Sequence, residues 1–300
     1  MPALHQVILD TDIGTDVDDL MALALILGRT DLDLIGITTV YGDTVLRARL
    51  TARILQSVGR QVPIHAGESA TLSGRDVWWA GHEGVLHDDL ADESYASDNA
   101  VAFLVATVLN APGTIDIIAI GPLTNIARAI AADDRFATAV RHLWIMGGSF
   151  GGDEPEHNFR SDAAAAAAVL TAGIPTTISG LEITRRIHIA TPELDRIAAA
   201  GQLGRTVQAE IRQWWKFWGT EWNVPHDPVT VLTLTDPQLF EFSEPGLVTI
   251  VRGDREGEST FTAGGAGRTR ITLGLDAASV SAAIVDGIVA GSAASPAPAA

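Results

Sequence analysis

Val7 to Asp19, VILDTDIGTDVDD, places five aspartates within ten residues directly after an apolar run: Asp10, Asp12, Asp16, Asp18 and Asp19. The apolar VIL predicts the end of a buried strand, and the LMALALIL after Asp19 predicts a buried helix with Asp18 or Asp19 near its N-terminus. Several carboxylates are therefore crowded onto one strand-to-helix turn. Close like charges repel strongly where the local dielectric is low, and residues 1–28 contain no Lys or Arg to offset them. A hard divalent cation, which prefers carboxylate oxygens, would do so. Turn preference and helix capping explain one or two of these aspartates, not all five. An EF-hand fits poorly: its glycine belongs at loop position 6 and its glutamate at 12. Counting from Asp10 puts Gly14 at position 5 and Met21 at position 12.

Strand candidates at 7–10, 34–42, 114–121, 142–148 and 174–180 alternate with helical Ala/Leu-rich stretches at 19–28, 44–58, 98–110, 124–132 and 161–172. This rhythm predicts an α/β fold with a mostly parallel sheet covered on both faces. With no internal repeat or interior linker, a single domain over residues 1–291 is expected, and the small, Pro-containing SAASPAPAA at 292–300 reads as a disordered tail.

Hydrophobic residues make up 47% of the chain, enough for a large core, yet no apolar run nears the ~18 residues of a membrane span. The N-terminus enters a strand too early for a signal peptide. The absence of cysteine excludes disulfides and thiolate metal sites and is compatible with a cytoplasmic location. A net charge of −17 argues against nucleic acid as a partner.

In open α/β sheets, ligands bind beyond the carboxyl ends of the strands. There the sequence places the Asp cluster, Tyr41-Gly42-Asp43, Ile120-Gly121-Pro122, the glycine-rich run Gly147 to Asn158, and Gly180-Leu181-Glu182. Glycines permit close backbone approach, while acids and amides accept hydroxyl protons. None of these ends carries a basic, phosphate-gripping residue, so the pocket reads as built for a cation and an uncharged polyhydroxylated ligand. Further on, Trp214, Trp215, Trp218 and Trp222 are expected on one helix, with 214, 218 and 222 sharing a face. They would serve packing or stack on a planar ligand, as would Trp78 and Trp79. Asp227 before Pro228 reads as an ordinary helix start, or with His226 as part of a site.

Taken together, DTDIG…DD, TTVYGD, VPIHAG, the HEG at 82–84, IAIGPLTNIA, IMGG, the EHN at 156–158, GLEIT and the HDP at 226–228 occur in an order that resembles the inosine-uridine preferring nucleoside hydrolases over nearly the whole chain. The resemblance implies a single Rossmann-like α/β domain that hydrolyses the N-glycosidic bond of ribonucleosides with bound Ca²⁺, as a homodimer or homotetramer. By matching position, Asp12 would be general base and metal ligand, with Asp19, Asp227 and the Ile120 carbonyl as further ligands. Asp18, Glu156 and Asn158 would hold ribose hydroxyls, with Asp43, His82 and Trp222 in the substrate-binding set. His226 would sit near the leaving base, and Asp10 would support the loop.

The chain departs from the family pattern in several places. Ile13 stands for the usual proline, two extra residues precede the paired aspartates, and Asp43 stands where asparagine is common. Glu182 replaces an aspartate, and the Gly148–Glu156 segment is short and lacks the amide that helps hold the 5′-hydroxyl. Rejection of 5′-phosphates is therefore expected, with only Glu156, Asp153 or Glu154 near that end. Two other readings stand at this point. One is an aspartyl-phosphate phosphatase with Asp10 as nucleophile, Mg²⁺ as the metal and Lys216, the only lysine, as its required lysine. The other is a nucleoside-binding protein on the same fold that has lost its chemistry.

Overall fold

A computed structural model describes residues 4–152 and 154–293. The first half alternates as expected: β1 (His5–Thr11), α1 (Asp18–Gly28), β2 (Leu32–Thr39), α2 (Thr44–Ser57), β3 (Ile64–Ala66), α3 (Ala100–Asn110), β4 (Ile115–Ala119), α4 (Thr124–Ala132), α5 (Phe136–Ala139) and β5 (His142–Met146). Next come α6 (His157–Ser161), α7 (Ala163–Thr171), β6 (Thr176–Ser179), α8 (Leu181–Thr184), β7 (Ile189–Ala190), α9 (Thr191–Ala199), α10 (Gln202–Trp218), β8 (Trp222–Asn223) and α11 (His226–Thr235). The chain closes with β9 (Phe240–Phe242), β10 (Gly246–Ile250), β11 (Ser259–Ala263), β12 (Thr269–Leu275) and α12 (Ala277–Ala293).

Strands β3-β2-β1-β4-β5-β6 run parallel in that order, and β12 joins β6 in parallel. Beyond it, β9, β10 and β11 pair antiparallel, an extension that no sequence signal assigned. Side chains alternate across the sheet because the strand period is two. Val7 and Leu9 enter one core with α1 and α12, while Ile8 enters a second core with α3, α4 and α7. Both faces are thus covered, and the expected α/β fold with a mostly parallel sheet is the one observed.

Helix α1 is buried from Asp18 to Leu27. It packs against α12 at small residues: a Cβ on Gly28 would meet the Gly287 carbonyl oxygen at 2.0 Å, and one on Gly291 the Ala24 carbonyl oxygen at 2.3 Å. Backbones this close need glycine, and the contact fixes where the acidic N-terminus of α1 points. Helix α12 runs through Ser292 and Ala293, two residues into the expected tail, and residues 294–300 lie outside the described residues. Asp153 lies outside them too.

Helix α10 ends at Trp218, because Gly219 takes a left-handed conformation with φ of 67°. Trp222 is therefore in β8, not on the tryptophan helix, a correction to the expected i, i+4, i+8 face.

Candidate active site

Strand order reverses at β1, whose neighbours β2 and β4 follow it by separate crossovers. A cavity of about 960 Å³ opens at the carboxyl ends of these strands. Asp12 follows the last residue of β1, and the loop then turns through Gly14, whose φ of 112° excludes most side chains. The Thr11 hydroxyl donates to the Asp19 carboxylate and accepts from the Ile13 amide at 3.1 Å, so the loop folds back on the start of α1.

Asp18 and Asp19 open α1, and Asp227 lies in the first turn of α11; all three are buried. Their side chains each bring an oxygen within 4.8 Å of the others. Asp227 does not cap its helix, since the N-cap is Pro225 and no side-chain cap bond forms; that removes the ordinary reading of the residue. Asp12 sits at the adjoining wall. A Cβ on Gly121 would come within 2.7 Å of Asp12 Oδ1, so the carboxylate rests on the backbone beside Ile120. The Ile120 carbonyl accepts from Asn158 Nδ2 at 2.8 Å.

Burial raises the pKa of Asp12, and raises those of Asp18, Asp19 and Asp227 well above the carboxylate range, with neighbouring aspartates adding to the last three. Asp16 is pushed up to about 7, chiefly by burial, with Asp19 and Asp12 adding to it. It lines the same cavity but lies outside the close trio. A buried, oxygen-only, anionic donor set fits a hard cation, and the acidic cluster could hold a metal ion.

Glu156 is buried and accepts three backbone amides, from Gly148 at 3.0 Å, Asn158 at 2.6 Å and Phe159 at 3.0 Å. It therefore caps α6 and pins the short glycine loop as well as lining the cavity. Asn158 spends its amide hydrogens on the carbonyls of Ile120 and Met146, which leaves its oxygen to accept from a ligand. His226 opens α11 with Nδ1 2.6 Å from the Thr184 hydroxyl. Burial, then Arg185, lowers its pKa to about 3, so the imidazole is neutral.

Other expected site residues lie elsewhere. Asp43 is the exposed N-cap of α2, accepting the Leu46 amide, and does not line the cavity. Trp222 is also outside the lining and packs on His188. His82 approaches the loop from outside, its Nε2 2.9 Å from the Thr15 carbonyl and its ring edge-on to Trp214 and Phe217. Trp78, Trp214 and Trp218 do line the mouth.

Sequence reasoning missed three groups. His157 lines the cavity and packs edge-on to Tyr41 and Trp78. Arg75, Arg160 and Arg185 bring positive charge to the rim, from outside the strand ends. Arg47 supplies the buried cation that residues 1–28 lack; its position matched the buried stripe of α2, with Thr44, Thr51 and Ile54, and could have been found there. Asp10, by contrast, is enclosed beneath the loop, with Oδ1 accepting from Thr38 at 2.5 Å and Asn125 at 2.7 Å. It does not line the cavity, and neither does exposed Lys216, so the two groups the phosphatase reading required are not at the cleft.

Known proteins give the same picture from outside the chain. The profile of the inosine-uridine preferring nucleoside hydrolases matches residues 7–282. A probable uridine nucleosidase 2 from Oryza sativa subsp. japonica is 30% identical over 88% of this chain and 83% of its own. A pyrimidine-specific ribonucleoside hydrolase RihA from Citrobacter koseri is 31% identical over 78% of this chain and 80% of its own. Among solved structures, a plant nucleoside hydrolase, the PpNRh1 enzyme, superposes with a TM-score of 0.87 at 25% identity, over 95% of this chain and 99% of that one. With its acidic cleft at the strand-order reversal and a family match that spans nearly the whole sheet, the chain belongs to the inosine-uridine preferring nucleoside hydrolases, enzymes that cleave the N-glycosidic bond of ribonucleosides.

Proposed function

We propose that this protein hydrolyses ribonucleosides in a Ca²⁺-dependent reaction, and that uridine is among its substrates, as the names of its relatives suggest. The observation that carries the reading is the gathering of Asp12, Asp18, Asp19, Asp227 and the Ile120 carbonyl in one buried wall beneath an aromatic mouth. Its resemblance to the family supports a cytoplasmic homodimer or homotetramer. Among the described residues, no helix is long and apolar enough to cross a membrane.

In this reading Asp12, Asp19, Asp227 and the Ile120 carbonyl would hold the cation, and Asp18 and the Asn158 oxygen would accept ribose hydroxyls. When bound, the ion would supply positive charge that lowers the pKa of a nearby water and attracts the 2′- and 3′-hydroxyl oxygens. Asp12 takes the water's proton as its oxygen bonds to C1′. The C1′–N bond breaks with its electron pair leaving on the base, and the ribose passes through oxocarbenium character. The acidic wall stabilises that developing positive charge. Trp78, Trp214 and Trp218 stack on the base. His226 is neutral and lines the cavity where the base would sit, its ring held by the Thr184 hydroxyl 2.6 Å from Nδ1.

The test is a reducing-sugar assay over uridine, cytidine, inosine and adenosine, with and without chelator. Ribose release that stops on chelation and returns with Ca²⁺ is expected, with lower thermal stability in the metal-free protein. Nucleoside binding without turnover would reduce the protein to a binder, and full activity with a demonstrably empty site would remove the cation.

A further inference from the structure

Arg47 is the one buried Lys or Arg among the described residues, only 1% exposed. Each of its three guanidinium nitrogens donates to the backbone or hydroxyl of the aspartate loop or its neighbour. Nε donates to the Tyr41 carbonyl at 2.7 Å, and Nη1 to the Ile13 carbonyl at 2.8 Å and to the Asp12 carbonyl. Nη2 donates to the Thr15 hydroxyl at 3.2 Å. The guanidinium lies 5.0 Å from the ring centre of Trp79, a cation–π distance. His82 in turn holds the Thr15 carbonyl, with Nε2 at 2.9 Å. The lengthened segment between Asp12 and Asp18 is thus gripped from α2 and from the 78–84 segment together.

These contacts have a directional consequence. With the Asp12 and Ile13 carbonyls turned toward α2, the Asp12 side chain leaves the backbone toward Gly121 and the cleft. The contacts are to carbonyls and a hydroxyl, not to carboxylates, so charge alone cannot replace the fork. A lysine ammonium is a compact point charge without the planar geometry.

We propose that Arg47 is a positioning residue of the reaction, holding the lengthened aspartate loop so that Asp12 and Asp19 are presented to the cleft. The inference rests on the reading of that wall as the catalytic centre. Its own consequence is that positive charge alone does not fill the role of Arg47: the planar fork is required as well.

Arg47→Lys separates the two, since it keeps the charge and loses the fork. We expect kcat for uridine at saturating Ca²⁺ to fall at least about tenfold with KM nearly unchanged, since displacing a reacting group by about 1 Å can cost ~10²-fold. In metal-free protein, amides 12–19 should exchange faster while the strands of the sheet keep their protection. Arg47→Ala should regain turnover on adding guanidinium at sub-denaturing concentration, but not with equimolar ammonium. Thr15→Val, which removes one contact, gives the same kcat loss at smaller amplitude and covers the case where the lysine variant does not fold. Wild-type kcat in Arg47→Lys, or unchanged exchange of residues 12–19, overturns the proposal. Wild-type protein that neither binds Ca²⁺ nor turns over overturns the catalytic reading instead, and the exchange result still decides what Arg47 does to the loop.

Discussion

Asn158 Nδ2 donates to the Ile120 carbonyl at 2.8 Å, and this bond joins the start of α6 to the end of β4 across the floor of the cleft. A carbonyl held this way keeps one lone pair committed and the other aimed. If it ligates the cation, Asn158 acts on the metal as an outer partner, and loss of such partners typically costs 10–100-fold in affinity. Asn158→Leu should therefore weaken Ca²⁺ binding by at least about tenfold, measured by calorimetry, beside any effect on KM. An unchanged Ca²⁺ affinity would show that the Ile120 carbonyl is not a ligand.

Asp12→Asn preserves size and the seat on Gly121 but cannot accept the water's proton. Turnover should drop by at least ~10²-fold, the lower range for a general base. The comparison is made at Ca²⁺ concentrations that saturate the variant, so a weakened metal site is not mistaken for lost base catalysis. A metal-loaded variant that turns over near the wild-type rate would assign the base elsewhere.

The sheet was legible because apolar runs such as VILD and TIDIIAIG are bounded by glycine and acidic residues at the strand ends, which local sequence expresses directly. The acidic cluster was legible for the same reason, five aspartates being adjacent in sequence. What escaped was set by contacts over long separations. Arg47 reaches back 35 residues to the Asp12 carbonyl, and Ser259 on β11 clamps the glycine loop through the Ser149 amide at 2.9 Å, 110 residues away. Trp222 was misplaced because its i+4 spacing is indifferent to Gly219, whose left-handed turn ends the helix first. Asp43 carried the family's position but is spent as a helix cap in the structure.

A pH dependence of stability follows from His142, remote from the cleft at the start of β5. Burial first, then Arg141, Arg270 and Arg268, lowers its pKa from 6.5 to about 4, with Nε2 2.9 Å from the Thr177 hydroxyl. The unfolded chain binds this proton more readily than the folded one between those values. The contribution is therefore fully present above pH 6.5 and is lost as pH falls toward 4, at most about 3 kcal/mol by linkage. His142→Gln should flatten the urea-unfolding free energy over that window relative to wild type. Parallel profiles would mean that other groups carry the acid sensitivity.

Substrate discrimination tests the shape of the whole cleft. The wall proposed to meet the ribose diol is acidic and buried, whereas Arg75, Arg160 and Arg185 stand exposed at the rim and Arg185 is already paired with Glu154 at 3.4 Å. A divalent cation offsets two of the four charges on Asp12, Asp18, Asp19 and Asp227, and Glu156 adds another acid beside them. Attraction from exposed arginines is screened by water and salt, while buried carboxylates are screened far less. Repulsion therefore wins, and a 5′-phosphate should be a poorer substrate than its nucleoside, by a margin that widens as ionic strength rises. In the proposed pose the 5′-hydroxyl faces a loop without the family's amide, so its removal should cost modestly, on the scale of ~1–3 kcal/mol for one hydrogen bond. In the proposed pose the 2′-hydroxyl faces the aspartate wall, so its removal should cost far more. The measurement is kcat/KM for uridine, 5′-deoxyuridine, 2′-deoxyuridine and uridine 5′-phosphate at two salt concentrations and saturating Ca²⁺. Faster cleavage of the phosphate, or equal cleavage of the 2′-deoxy compound, would reverse the assignment of the acidic wall to the diol and of the rim to solvent.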